Sequence, residues 1–190
     1  MAEDHRWLIV GITGVTCGGK TTLAKQIQEK FSQTVVLHQD SFFYLEGSPQ
    51  HVKAPGMDHT NYDIITSLDM NKMYDEIIKL ISNNTGSSRN ILVLEGFCLL
   101  NFKPIADLCK LKYEISLTKE ECIRRRTARV YDPPDIPGYF EVCVWPEYLK
   151  FHEALKKQTD IVHIDGTEEN FAERVTADIE KLLLQCSNGS

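Results

Sequence analysis

Apolar runs rich in β-branched residues alternate along this chain with stretches whose apolar positions recur at helical spacing. The runs predict strands at Trp7–Ile12, Thr34–His38, Ile91–Leu94, Leu111–Leu117 and Ile161–Ile164. The helical stretches are Thr21–Phe31, Asp69–Ser82, Lys119–Thr127, Pro146–Gln158 and Glu168–Gln185. Two starts carry explicit signals: Thr118-Lys-Glu-Glu121 has the form of a capping box, and Thr167 precedes two glutamates in a first turn. Short, buried-looking strands interleaved with helices predict an α/β fold, a five-stranded parallel sheet covered on both faces. In such sheets ligands gather beyond the carboxyl ends of the strands, so chemistry is expected just after a strand.

Two stretches break the alternation. Tyr44–Asn61, YLEGSPQHVKAPGMDHTN, is a long polar loop, and loops of that length in a compact domain are usually functional or disordered. Residues 83–90, NNTGSSRN, read as a plain solvent loop, and the final CSNGS as a frayed tail. No internal repeat or boundary divides residues 1–190, which read as a single domain.

Composition narrows the function. Of 190 residues, 42% are hydrophobic and 25% charged, an ordinary soluble mix. A net charge of -6 argues against a nucleic-acid surface, though not against a small anion held by local groups. No apolar run approaches the length of a membrane span, and the acidic opening MAEDHR gives no secretory start. The six cysteines, at 17, 98, 109, 122, 143 and 186, form no C-x-x-C pair. They read as reduced thiols of a cytoplasmic protein, and small size with an acidic surface favours a monomer.

The segment GVTCGGKTT, residues 14–22, lies between the first strand and the first helix. Gly14, Gly19, Lys20 and Thr21 match the phosphate-binding pattern G-x-x-x-x-G-K-[ST]. Glycines there let successive backbone N–H groups of Gly14, Val15, Thr16, Cys17, Gly18, Gly19, Lys20, Thr21 and Thr22 turn toward phosphate oxygens, aided by the positive end of the helix. Lys20 is expected at the β- and γ-phosphates and the Thr21 hydroxyl on Mg²⁺, so a nucleoside triphosphate with magnesium is the predicted ligand.

Further residues sort the possibilities. A guanine-reading N-K-x-D is missing: Asn101-Phe102-Lys103-Pro104 lacks the adjacent pair and reads as a surface turn. Glu95 ends the third strand, either as a ligand of a magnesium-bound water or as a cap on the following loop. Asp40 follows the second strand, placed to orient an acceptor hydroxyl and take its proton, or to close an Asx-turn. On the helix from Arg124, Arg125 and Arg129 share a face, as do Arg126 and Arg129, and the proline-stiffened DPPDIPGYF follows. Such a run is a solvated helix face or a lid over phosphates, spanning about 124–140.

These segments resemble the nucleoside-kinase branch of the P-loop kinases, which includes the uridine, pantothenate and nicotinamide riboside kinases. GITGVTCGGKTTLAK and HQDSFF fit the whole branch. Asn61-Tyr62-Asp63, Glu95-Gly96-Phe97 and above all RRRTARVYDPPDIPGYFEVCVWPEYLKF are similar to nicotinamide riboside kinases, nearly end to end. The resemblance implies transfer of the ATP γ-phosphate to the 5′-hydroxyl of nicotinamide riboside, on the way to NAD. It implies that Asp40 is the base, that Lys20 acts on the phosphates, and that Thr21, Asp40 and Glu95 attend the magnesium. Asp63 and Arg126 would hold the ribose hydroxyls, with Tyr62 beside them. Phe43 and Tyr131 would sandwich the nicotinamide ring, and Arg125 and Arg129 would face the nucleotide.

The chemistry of the ligand agrees. A cationic pyridinium is attracted to flat aromatic faces by about 0.5–2 kcal/mol per good contact. A diol is well read by a carboxylate and a guanidinium together. Tyr131 has lid packing as its structural alternative, and Asp63 helix capping. Cys17 and Gly18 depart from the polar pair expected at these loop positions, which affects the turn more than the phosphate contacts. The six histidines show no metal spacing and receive no role. A pyrimidine-nucleoside kinase and a non-catalytic nucleotide switch remain as alternatives.

Overall fold

The computed structural model describes residues 6–83, 90–129 and 136–187. Its sheet comprises β1 (Trp7–Gly14), β2 (Thr34–His38), β3 (Asn90–Glu95), β4 (Leu111–Ser116) and β5 (Val162–Asp165), in the order β2-β3-β1-β4-β5. Every pairing is parallel. The helices are α1 (Lys20–Lys30), α2 (Met70–Ser82), α3 (Lys103–Ala106), α4 (Lys119–Thr127), α5 (Trp145–Leu155) and α6 (Phe171–Ser187).

The two-residue alternation of β1 explains the layering. Leu8, Val10 and Ile12 point to one face, where Leu23, Ala24 and Ile27 of α1 and Val175 and Ile179 of α6 cover them. Ile9 points to the other, toward Met73 and Ile77 of α2, Ile105 of α3 and Leu155 of α5. The chain leaves β1 toward β2 in one direction and returns through β3 to β4 and β5 in the other. Right-handed crossovers therefore put α1 on one face and the helices of the return path on the opposite one. Among the described residues, no helix is long and apolar enough to cross a membrane.

Four local features differ from the sequence expectation. α6 starts at Phe171, because the Thr167 N–H and hydroxyl both bond Asp165 Oδ1, at 2.9 and 2.7 Å, closing a turn first. The helix read as starting at Pro146 is preceded by a wide π turn at Phe140–Val144, which hands over to α5 where Pro146 removes a backbone donor. Asn101-Phe102-Lys103-Pro104 is more than a surface turn: a 3₁₀ turn at Leu99–Asn101 buries Leu99 and Leu100, then Pro104 enters the first turn of α3. The tail read as frayed contributes Cys186 and Ser187 to α6, while residues 188–190 lie outside the described ones, as does most of the 83–90 loop.

The 44–61 segment folds back on itself. Ala54 N–H donates to His59 O at 2.7 Å and Asn61 N–H to Val52 O at 2.7 Å. Ala54 is buried with Val15, Leu117, Cys122, Tyr139, Phe140 and Tyr148, a third cluster beside the phosphate loop.

Glu114 on β4 is 1% exposed and faces α5 and β5. Its two oxygens meet His152 Nδ1 at 2.9 Å and His163 Nδ1 at 2.7 Å. A buried carboxylate left without such donors would be costly, so this cluster moors α5 to the sheet. Glu114→Ala is expected to lower the unfolding free energy by about 2 kcal/mol, measured by urea denaturation, and Glu114→Gln by less because it keeps one acceptor. Equal stability of Glu114→Ala and the unsubstituted chain would show that the cluster contributes nothing.

Candidate active site

The phosphate loop is shaped by its exit from β1. Gly14 has φ 124, and a Cβ there would overlap the backbone of Ile115 on β4. Val15 N–H donates to Ile115 O at 3.0 Å, and Gly18 N–H returns to Val15 O at 3.2 Å. Cys17 adopts φ 59, a left-handed conformation that costs a non-glycine residue about 1 kcal/mol. Gly19, at φ 101, is the N-cap of α1. The Lys20 ammonium donates to Gly14 O at 2.9 Å and Val15 O at 2.8 Å. Burial lowers the Lys20 pKa, opposed by the carboxylates of Glu95 and Asp40.

The sheet order brings the acidic residues to the same place. Ile12, Glu95 and His38 lie on one rung of the β1–β3–β2 ladders, so Glu95 emerges beside the loop. Thr21 donates its hydroxyl hydrogen to Glu95 Oε1 at 3.1 Å, and His38 Nδ1 lies 2.6 Å from that same oxygen. Asp40 sits two residues past β2 in a 3₁₀ turn, Gln39–Phe42. That turn is anchored by the fully buried Gln39, whose Oε1 accepts from Cys98 N–H at 3.2 Å. A side chain at position 96 would overlap Gln39, so Gly96 permits the anchor. Asp40 opens onto the cavity, yet desolvation raises its pKa above the ordinary carboxylate value. Glu95 adds to the rise, while Lys20, His38 and Arg129 pull the other way.

Lys20, Thr21, Asp40 and Glu95 line a cavity of about 480 Å³, together with Thr16, Cys17, Gly19, Thr22, Phe43, Tyr62, Asp63, Gly96, Phe97, Arg125 and Arg129. Phe43 stacks on Phe97 with centroids 6.2 Å apart and planes 14° from parallel, and meets Tyr62 edge-on at 6.0 Å. Asn61 Oδ1 accepts from Asp63 N–H at 3.1 Å. The buried Tyr139 accepts from Tyr62 N–H at 2.8 Å and is hydrogen-bonded to the Asp63 carboxylate. Burial, then the charge of Asp63, pushes the Tyr139 pKa up, so its hydroxyl stays protonated and donates to Asp63.

The arginines divide. On α4, capped by Thr118 through Glu121 N–H at 3.2 Å, Arg125 donates to Glu121 at 2.6 Å and to the carbonyls of Gly166 at 3.0 Å and Cys17 at 3.4 Å. Arg129 reaches Cys17 Sγ at 3.9 Å. Both line the cavity. Arg126, expected beside the ribose with Asp63, bonds Thr16 Oγ1 at 3.2 Å, with its guanidinium 5.9 Å over the Phe140 ring. Tyr131 lies outside the described residues. His38, Gln39, Phe97 and Tyr139 belong to this site and were not singled out from sequence. All four lie in motifs quoted above, His38 and Gln39 in HQDSFF, Phe97 in Glu95-Gly96-Phe97 and Tyr139 in the segment after the arginines, yet none of them receives a role from sequence.

The oxygen donors fit a magnesium ion. Thr21, Asp40 and Glu95 offer one hydroxyl and two carboxylates, the hard ligands that Mg²⁺ takes alongside phosphate and water. Among the described residues, no three His, Cys, Asp or Glu side chains form a metal cage of their own.

Comparison with known proteins follows the same line. A family model described as "AAA domain" matches residues 10–146. The chain is 40% identical over 189 residues to nicotinamide riboside kinase 1 of Rattus norvegicus, covering 92% of this chain and 95% of that protein. Similarity to the uridine kinase of Streptococcus gordonii is lower, at 25% over 97% and 100% of the two chains. The fold matches a gluconokinase from Sinorhizobium meliloti 1021, with a TM-score of 0.58 at 15% identity over 98% of each chain. With a phosphate loop, an acidic pair and an aromatic-lined cavity on this sheet, the chain belongs to the nicotinamide riboside kinase family of P-loop kinases.

Proposed function

We propose that the chain transfers the γ-phosphate of ATP to the 5′-hydroxyl of nicotinamide riboside, giving nicotinamide mononucleotide, and that it also accepts nicotinic acid riboside. One observation carries this reading: Lys20, Thr21, Asp40 and Glu95 share a cavity with Phe43, Tyr62 and Asp63. Phosphate chemistry and a nucleoside-sized aromatic wall therefore meet in one place.

In this mechanism the loop N–H groups and Lys20 hold the phosphates, Lys20 exchanging its bonds to the Gly14 and Val15 carbonyls for phosphate oxygens. Asp40 orients the 5′-hydroxyl and accepts its proton as the new O–P bond forms and the bond from Pγ to the β-phosphate oxygen breaks. A carboxylate whose pKa is raised is a better proton acceptor, so the partial desolvation of Asp40 assists this step. Thr21, Asp40 and Glu95 would hold Mg²⁺, which when bound neutralises phosphate charge. Arg125 on α4 and Arg129, two residues past its end, add positive charge, acting as a lid with the segment that follows.

Phe43 offers a ring face to the pyridinium, with Tyr131 assigned to its other side. Asp63, fixed by Asn61 and Tyr139, takes the ribose hydroxyls, and Arg126 joins it if α4 shifts toward the sugar. The protein is assigned to NAD biosynthesis as a cytoplasmic monomer without nucleic-acid or membrane partners.

Two outcomes are expected. Asp40→Ala should cut kcat at least about a hundredfold while calorimetry shows ATP binding largely kept; normal turnover would remove Asp40 as the base. In coupled ADP-release assays, kcat/KM for nicotinamide riboside should exceed that for uridine at least about tenfold, since the aromatic contacts favour a cation. Uridine winning would redirect the assignment to a pyrimidine-nucleoside kinase, and turnover on no nucleoside would favour a nucleotide switch.

A further inference from the structure

His38 has no place in the mechanism above, yet it is tied to its centre. It ends β2 and is the ladder partner of Glu95. Its Nδ1 lies 2.6 Å from Glu95 Oε1. An ionised carboxylate only accepts, so Nδ1 carries the hydrogen and donates it. The Glu95 side chain is 7% exposed and that of His38 is 44% exposed, so a buried carboxylate at the cavity is held by a ring that reaches the surface.

Two donors share one oxygen. Thr21 gives its hydroxyl hydrogen to Oε1 as well, at 3.1 Å, leaving its lone pairs available to a cation. Among the described residues, the second oxygen of Glu95 takes no hydrogen bond. The arrangement fixes the carboxylate through one oxygen and reserves the other.

We infer that His38 is a positioning residue, which holds Glu95 by a hydrogen bond to Oε1 so that its second oxygen serves the water shell of a bound magnesium ion. This rests on the kinase reading for its consequence in turnover, but not for its effect on magnesium-dependent nucleotide binding. The alternative is that the imidazole merely fills the end of β2. Amide side chains separate the two. The asparagine Nδ2 reproduces the reach of the histidine Nδ1, whereas glutamine places its amide one bond further out. A bonding role therefore survives His38→Asn and is lost in His38→Gln and His38→Ala, while a filling role follows side-chain size instead.

The test uses the full chain and these three variants, with folding verified by circular dichroism and thermal midpoint. Calorimetry measures ATP affinity in excess MgCl₂ and in EDTA, without nucleoside. Magnesium is then titrated in the nicotinamide riboside assay. For His38→Ala, affinity in EDTA should match the unsubstituted chain, while the gain on adding magnesium should shrink about tenfold. Its half-activating magnesium concentration should rise about tenfold and kcat should fall, with KM for nicotinamide riboside unchanged within about twofold. His38→Asn should recover most of both losses and His38→Gln should not. An undiminished magnesium gain in His38→Ala, or His38→Asn behaving as His38→Ala does, would overturn the assignment. If the unsubstituted chain phosphorylated no nucleoside, the substrate reading would fall, and the calorimetric comparison would still judge His38.

Discussion

The rung Ile12–Glu95–His38, which crosses three parallel strands, determines where everything else in the site must lie. One strand leaves this level into the phosphate loop, one stops there in a carboxylate, and one turns into Asp40 within two residues. Parallel pairing is essential, because only then do three carboxyl ends finish together. The order of the strands matters equally. With β3 inserted between β1 and β2, Glu95 stands between the loop that carries Lys20 and Thr21 and the turn that carries Asp40. A sheet in which β1 and β2 were neighbours would put Glu95 an extra strand spacing, about 5 Å, from one of the two.

The apolar core holds that rung in place, and small close contacts do the fine adjustment. Gly14 lets the loop turn against Ile115, and Gly96 lets Gln39 penetrate to pin the turn bearing Asp40. Neither contact adds much binding energy of its own. Both fix where charged atoms can stand, and electrostatic stabilisation of transferring phosphate depends on position more than on the number of charges. This is how a chain of net charge -6 can build a local phosphate site. Lys20, Arg125 and Arg129 line one cavity, while compensating acids such as Glu121 sit against them from outside.

Much of this could be read from sequence, for identifiable reasons. The central strands are apolar runs with sharp polar ends, so β2 is predicted to the residue and the others within about two. The phosphate loop is a local pattern, and its chemistry follows from spacing. Features made by contact between distant residues were less accessible. His38 looks like any polar residue closing a strand until β3 is laid beside it. Glu114 is one charge in an apolar run until His152 and His163 arrive from 38 and 49 residues away. The turn at Leu99–Asn101 hides because apolar residues continue past the end of β3 without a change of period. Thr167 misleads because a residue that can cap a helix can equally be held by a preceding aspartate.

Tyr139 has a consequence of a different kind. Its ring is packed into the cluster that joins the phosphate loop to α4 and the π turn, while its hydroxyl grips both Tyr62 and Asp63. Tyr139 thus joins the cavity wall of Tyr62 and Asp63 to the region of α4. If an occupant of that wall changes the affinity for a phosphate donor through this contact, the donor changes the occupant's affinity by the same factor, because thermodynamic linkage runs equally in both directions.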